Sequence, residues 1–156
     1  LLTAYDGKPL TYDGAGNPLT YQNGTEWKLT WEEGRQLSTA KSSKGTISYG
    51  YDLDGTRRNK TVNGVTHYYI WEGGRPLKEY VSGNTGAYKA GDTLYYFYDH
   101  NGRPFMLLYN GEPYYYILNL QGDVYRMVDS NGTTVAQYSY DPWGKVLEAS
   151  GSMAER

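Results

Sequence analysis

The residues of this 156-residue chain best equipped for chemistry are four aspartates, Asp13, Asp52, Asp99 and Asp141, two histidines and a large set of aromatic rings. Converging carboxylates would serve acid–base catalysis or hold a metal ion. Each of these aspartates, however, stands at the same place in a recurring Asp-x-x-Gly run that closes on Gly16, Gly55, Gly102 or Gly144. In such a run the side chain accepts a backbone N–H two residues on. The glycine takes the left-handed position that closes a type I turn with a bulge. Asn119 with Gly122 repeats the pattern with an amide in place of the acid. The spacing therefore reads as one turn anchor per repeat, spread along a sheet rather than gathered at a site.

Other chemistries find little support. Asp52-Leu53-Asp54-Gly55 has the opening of a calcium loop but lacks its third acidic position and distal Glu. His67 falls on an expected strand and His100 in a turn, with no paired spacing for zinc. No serine sits in a nucleophile elbow, and Glu72-Gly73-Gly74-Arg75 is a turn variant rather than a phosphate cradle. No acid/base pair stands out for a hydrolase. Cysteine is absent, which removes disulfides, thiol catalysis and Cys-type zinc sites. No catalytic residue, metal or cofactor is expected.

Arg57, Arg58 and Lys60 read as a solvated strand face, and a net charge of −2 argues against nucleic-acid binding and membrane association. No stretch is long and apolar enough to span a bilayer, and any signal peptide is expected to lie upstream of Leu1 or not to exist. The sequons at Asn23, Asn59 and Asn131 carry little weight, since two of them arise where Asn-Gly turns precede Thr. The aromatic residues remain. Tyr and Trp rows can stack on sugar rings, and Trp143, near a turn tip, is the best exposed candidate for ligand stacking. The spacing of Trp31, Trp71 and the paired tyrosines instead matches an inward, packed stripe.

The elements that carry these residues follow from repetition. The anchors are Asp13, Glu32, Asp52, Glu72, Asp99, Asn119 and Asp141, each with Gly two or three residues later. Most lie about twenty residues apart, with one longer gap in which residues 82–92 read as an inserted loop. One and three positions before each anchor stand Tyr12 and Leu10, Trp31 and Leu29, Tyr51 and Tyr49, and Trp71 and Tyr69. Tyr98 and Tyr96, Leu118 and Tyr116, and Tyr140 and Tyr138 complete the series. A spacing of two puts each pair on one sheet face. Leu19, Leu37, Leu77, Phe105, Tyr125 and Leu147 follow the glycines by three, and only Arg58 breaks that rule. A second apolar strand therefore follows each turn. Between anchors, Asn23-Gly24, Asn63-Gly64, Asn110-Gly111 and Asn131-Gly132 predict type I′ hairpin turns. With 19 Tyr and 20 Gly, little Ala and no helical period, the chain reads as all-β. The expectation is an antiparallel meander of tandem hairpins, roughly fourteen short strands in a sheet that must curl or spiral and stays open.

Tyr49-Gly50-Tyr51-Asp52-Leu53-Asp54-Gly55 and Tyr96-Phe97-Tyr98-Asp99-His100-Asn101-Gly102-Arg103 resemble the YD repeat. Tyr138-Ser139-Tyr140-Asp141-Pro142-Trp143-Gly144-Lys145 resembles the last repeat ahead of an RHS-associated core. This YD-repeat or RHS-repeat family includes bacterial RHS and wall-associated proteins, the C components of insecticidal toxin complexes, and animal teneurins. The resemblance runs from about Leu10 to Leu147 in seven copies. It implies a lead-in at 1–9, seven repeats at 10–147 and a polar tail at 148–156. It also implies a hollow shell that often encloses a variable C-terminal toxin, with this chain ending just upstream of the core.

The function implied is that of a non-catalytic scaffold, a segment of shell that encloses or presents a C-terminal effector. Its partners would be the remaining repeats and core of the parent protein and that effector. Exposed strand edges also allow edge-to-edge association of two copies. The place implied is outside a bacterial cell or on its surface. The alternative is a cell-surface adhesin module that binds carbohydrate through exposed Tyr and Trp.

Overall fold

The computed structural model describes residues 1–5, 7–22 and 24–155. Every regular element among them is a β-strand. The chain divides into two compact units, one ending at Tyr68 and the other starting at Tyr69.

The first unit opens with a small hairpin of β1 (Ala4–Tyr5) and β2 (Lys8–Pro9). Four of the next strands are β3 (Thr20–Gln22), β4 (Glu26–Glu32), β5 (Gln36–Ser42) and β6 (Gly45–Tyr51). β7 (Arg57–Val62) and β8 (Val65–Glu72) follow, the unit boundary falling inside β8. The second unit holds β9 (Arg75–Ser82), β10 (Thr93–Tyr98), β11 (Pro104–Tyr109) and β12 (Glu112–Leu118). It ends with β13 (Val124–Val128), β14 (Thr134–Tyr140) and β15 (Val146–Ser150). From β3 to β15 the strands hydrogen-bond in chain order, an open antiparallel meander that does not close into a barrel. Such local pairing follows from connections too short for a crossover.

Two kinds of turn alternate, and the ladder registers tell them apart. Where Val62 faces Val65 and Tyr109 faces Glu112, the two intervening residues are Asn63-Gly64 and Asn110-Gly111. Both residues of each pair have positive φ, 49° and 87° in one and 50° and 91° in the other. That is the type I′ geometry whose twist matches the flanking strands. At the opposite ends the registers shift by one residue, at Gly50/Tyr51, Phe97/Tyr98, Ile117/Leu118 and Ser139/Tyr140. These bulges flank the turns at Asp52, Asp99, Asn119 and Asp141 and absorb their extra residue.

Asn131-Gly132 departs from expectation. Asn131 does not take positive φ, and the β13–β14 ladder shifts register at Met127/Val128. The turn is instead built from Asp129, whose Oδ1 accepts the N–H groups of Asn131 and Thr133, each at 2.9 Å. The carboxylate competes successfully for the backbone and converts a two-residue loop into a bulged one. Asn23, the other Asn-Gly candidate paired with Gly24, lies outside the described residues.

The core of the second unit is built from Val81, Leu94, Leu107, Met127 and Ala136, with tyrosines beside them. Leu107 lies across from Tyr96 and Tyr114, and Met127 across from Tyr116 and Ala136. Leu107 is buried between two rings, and Met127 between a ring and Ala136, although the ring hydroxyls need polar partners. Tall tyrosines thus flank the short apolar side chains. The segment read as a polar tail behaves differently, because residues 148–150 belong to β15 and Met153 is buried. The Met153 N–H bonds the Val135 carbonyl at 3.0 Å, which folds the chain back onto β14.

Candidate functional site

The turn aspartates are occupied by backbone. Asp13 Oδ1 accepts the N–H groups of Ala15 and Asn17, both at 2.9 Å, while Oδ2 accepts the Asn17 amide at 2.8 Å. Asp99 Oδ1 accepts Asn101 and Arg103, and Asp141 Oδ1 accepts Trp143 and Lys145, at 2.8 to 2.9 Å. Asn119 Oδ1 accepts the Asp123 N–H. Gly16, Gly55, Gly102, Gly122 and Gly144 each donate their N–H to the anchor carbonyl at 2.9 to 3.1 Å. The Asn17 side-chain hydrogen bond holds the Asp13 carboxyl below the ordinary carboxylate range, and the Arg103 N–H does the same for Asp99. Asp52 Oδ1 accepts Thr56, and its Oδ2 meets Arg58 at 2.6 Å. A carboxyl–carboxyl hydrogen bond shared with Asp52, followed by those from Thr56, lowers the Asp54 carboxyl to about 2. Among the described residues no three His, Asp or Glu side chains gather to hold a metal ion.

The Glu anchors are different. Glu32 and Glu72 end strands β4 and β8, and the positive φ values fall on Glu33-Gly34 and Gly73-Gly74. Glu32 uses its carboxylate to accept the Ser38 hydroxyl at 2.8 Å.

A second recurring device ties a repeat to the one before it at four places. Trp31 Nε1 donates to the Pro18 carbonyl at 2.7 Å, Tyr51 to Leu37 at 3.0 Å, Tyr98 to Pro76 at 2.8 Å and Tyr140 to Val124 at 2.6 Å. All four donors are the aromatic residue immediately before the anchor. All four acceptors lie just past the last rung of a ladder. The β5–β6 ladder stops at Thr39↔Ser48, β9–β10 at Lys78↔Tyr95 and β13–β14 at Arg126↔Gln137. Where strands splay towards a turn, a carbonyl loses its ladder donor, and a ring O–H or N–H supplies one. Burial raises the hydroxyl pKa of Tyr51, Tyr98 and Tyr140.

Several contributors have no local sequence signal. Asp92, at the end of the inserted loop, is buried and accepts the Lys89 N–H, the Tyr109 hydroxyl and the Asn110 amide. Glu79, buried on β9, accepts the Tyr96 hydroxyl at 2.6 Å, and burial together with that carboxylate raises the Tyr96 pKa strongly. The turn asparagines do more than turn. Asn63 and Asn110 reach back 17 residues to clamp the backbone of Thr46 and Thr93 through N–H and Oδ1.

Trp143 is 89% exposed at the tip of the Asp141–Gly144 turn. It borders a groove of about 800 Å³ between that turn and the one at Asn119, with Tyr125, Tyr138 and Tyr140 on the wall. Asn119, Asp141 and Gly144 are thus brought together, whereas Asp52 and Gly55 line a separate groove of about 750 Å³ in the first unit. Gly102 sits against the Arg75 guanidinium, and His67 and His100 belong to β8 and the Asp99 turn.

Fold and turn chemistry define an open scaffold of tandem β-hairpins tied repeat to repeat. Residues 86–154 match the Teneurin YD-shell family model. The tRNA3(Ser)-specific nuclease WapA of Bacillus spizizenii is 33% identical over 97% of this chain, and the tRNA nuclease WapA of Bacillus subtilis is 32% identical over 97%. The chain spans 6% of the length of each. Among solved structures, the Photorhabdus luminescens Tc holotoxin pore superposes with a TM-score of 0.65 at 17% identity, over 90% of this chain and 7% of that one. The TcdB2-TccC3-TEV structure gives 0.66 at 18%, over 92% of this chain and 8% of that one. At those identities the likeness is one of fold. The chain belongs to the YD-repeat, or RHS-repeat, family.

Proposed function

We propose that this segment is a stretch of wall in a YD-repeat shell that encloses a C-terminal effector of its parent protein, outside a bacterial cell or on its surface. The observation that carries this reading is the repeated aromatic-to-carbonyl tie, found at four junctions between successive repeats. It stiffens a sheet along its length, which is the work of a wall. The carboxylates are consumed in the same service, one turn at a time. The WapA relatives are named as nucleases, and this segment corresponds to a small share of their length. Both facts support a division in which the chemistry belongs to another part of the parent.

The test is limited proteolysis of the full parent protein. If the wall encloses an effector, that domain survives protease concentrations that digest it when expressed alone, and Tyr98→Ala combined with Tyr140→Ala shortens its survival. Digestion at equal rates in the parent and in isolation would overturn the reading.

A further inference from the structure

We infer that the groove between the Asn119 and Asp141 turns is a binding site for a neutral, hydroxyl-rich sugar ring, with Trp143 as its stacking platform. This goes beyond the scaffold reading and does not depend on it. The groove's volume, about 800 Å³, lies in the range of small-ligand sites. The Trp143 indole is 89% exposed, so its ring face is open to a ligand. Its flat, apolar face with a polar N–H edge suits the C–H face of a pyranose beside that ring's hydroxyls. Tyr125, 36% exposed on β13, adds a second partly open ring along the same groove.

The polar groups fit the same ligand. The Asp141 carboxylate is fixed by two backbone N–H groups on Oδ1, which leaves Oδ2 as an acceptor held in a set direction. Asp123 is held by the Asn119 amide at 3.1 Å. Among the described residues the Gln121 amide, the Tyr125 hydroxyl and the Trp143 indole N–H have no hydrogen-bond partner. Fixed acceptors and free donors beside an aromatic platform match hydroxyls, which both donate and accept. Charge selects among sugars. The lining carries Asp123 and Asp141 and no Lys or Arg, so uronic or phosphorylated rings are repelled. Arg126 lies 5.7 Å from the Tyr125 ring centroid but does not line the groove. The comparable groove at the Asp52 turn has Leu53 at its tip and no tryptophan, so it supplies an internal contrast.

The experiment is a calorimetric titration of the whole chain with cello-, chito- and malto-oligosaccharides, with galacturonate oligomers as the anionic arm. The expected result is millimolar or tighter binding of at least one neutral series. Trp143→Ala should weaken it at least tenfold, Trp143→Tyr should retain most of it, and Leu53→Ala should leave it unchanged. Trp143 touches little of the fold, so its variants should keep the wild-type circular dichroism and Tm. The inference is overturned if no neutral series binds, if galacturonates bind as well, or if Trp143→Ala binds like wild type.

Discussion

Replacing Tyr98 by Phe isolates the tie between repeats. The change removes one O–H and keeps the ring, which is half-buried with the Arg75 guanidinium 5.8 Å from its centroid. What is lost is the 2.8 Å hydrogen bond to the Pro76 carbonyl. The β9–β10 ladder ends at Lys78↔Tyr95, so no ladder N–H stands ready to replace it. A hydrogen bond of this kind contributes about 0.5–1.5 kcal/mol net, and water can reach this rim of the sheet, so a loss of about 1 kcal/mol is expected. With a urea slope of about 1–3 kcal/mol per molar, the unfolding midpoint should fall by roughly 0.3–1 M with the slope unchanged. The melting temperature should fall by about 2–4 °C. The control is Tyr21→Phe, because Tyr21 is 53% exposed. It should move stability by less than about 0.5 kcal/mol. Equal midpoints for Tyr98→Phe and Tyr21→Phe would refute the claim that the hydroxyl holds the repeats together.

Asp129→Ala should cost about 1–2 kcal/mol, since it strips the acceptor from two turn N–H groups, whereas Asn131→Ala should cost less than about 0.5; the reverse order in urea melts would restore the two-residue turn at Asn131-Gly132. Gly151 has φ of 107°, and an added Cβ would run into the Val135 backbone carbonyl, so Gly151→Ala should destabilise by more than about 1 kcal/mol and open Met153 to oxidation. Gly86→Ala, where φ is ordinary and space is free, should be close to neutral, and similar losses at both sites would sink this account. High pH offers a fourth test. Burial raises the hydroxyl pKa of Tyr51, Tyr96, Tyr98, Tyr116, Tyr138 and Tyr140 above the ordinary 10, favouring the protonated folded form. That stability is complete below pH 10 and drains away as pH climbs through the folded values, so tyrosinate absorbance from these rings should rise together with unfolding. Full ionisation of all 19 tyrosines in a chain that is still folded would contradict it.

The meander was legible because two periods coincide in the sequence. Large side chains spaced by two mark strand faces, and Asp-x-x-Gly or Asn-Gly marks where the direction reverses. The all-β architecture then follows with little choice. Legibility fails where a partner is distant. Nothing near Asp92 announces its burial, because its acceptors are filled by Tyr109 and Asn110, 17 and 18 residues on. Glu79 likewise waits on Tyr96, also 17 residues away. Both separations amount to one hairpin, so a carboxylate on one repeat is satisfied by a hydroxyl on the next. A single repeat read alone cannot show that. Asp129 failed for another reason. Two valid turn signals overlap at Asp129-Ser130-Asn131-Gly132, and the carboxylate, which accepts two N–H groups, outweighs the preference of Asn-Gly for positive φ. Met153 had no signal, since a lone apolar residue in a polar stretch reads as solvent-exposed until the fold-back at Gly151 is seen.

The tie also explains why proline recurs two residues past an anchor glycine. Pro18 and Pro76 stand there, each with a carbonyl to satisfy and no N–H to satisfy with it. At the mouth of a turn, where the neighbouring strand has splayed away, a residue with a backbone N–H would leave both groups without a ladder partner. Proline halves that need, and the next repeat's aromatic meets the rest. Pro104 occupies the same place after Gly102, but the residue before the following anchor is Leu118, which can donate nothing. Among the described residues no side chain donates to the Pro104 carbonyl, and the β11–β12 ladder ends at Met106↔Tyr115. Leu118→Tyr should therefore supply the missing tie. The gain from one hydrogen bond is about 0.5–1.5 kcal/mol, and the exchange of Leu for a ring on a face already lined by tyrosines should cost less than that. Stability should rise in Leu118→Tyr and return to the starting value in Leu118→Phe, read as urea midpoints at constant slope. If the Tyr and Phe variants shift together, packing rather than the hydroxyl governs this position, and the tie would be a coincidence of four sites instead of the rule by which one repeat holds the next.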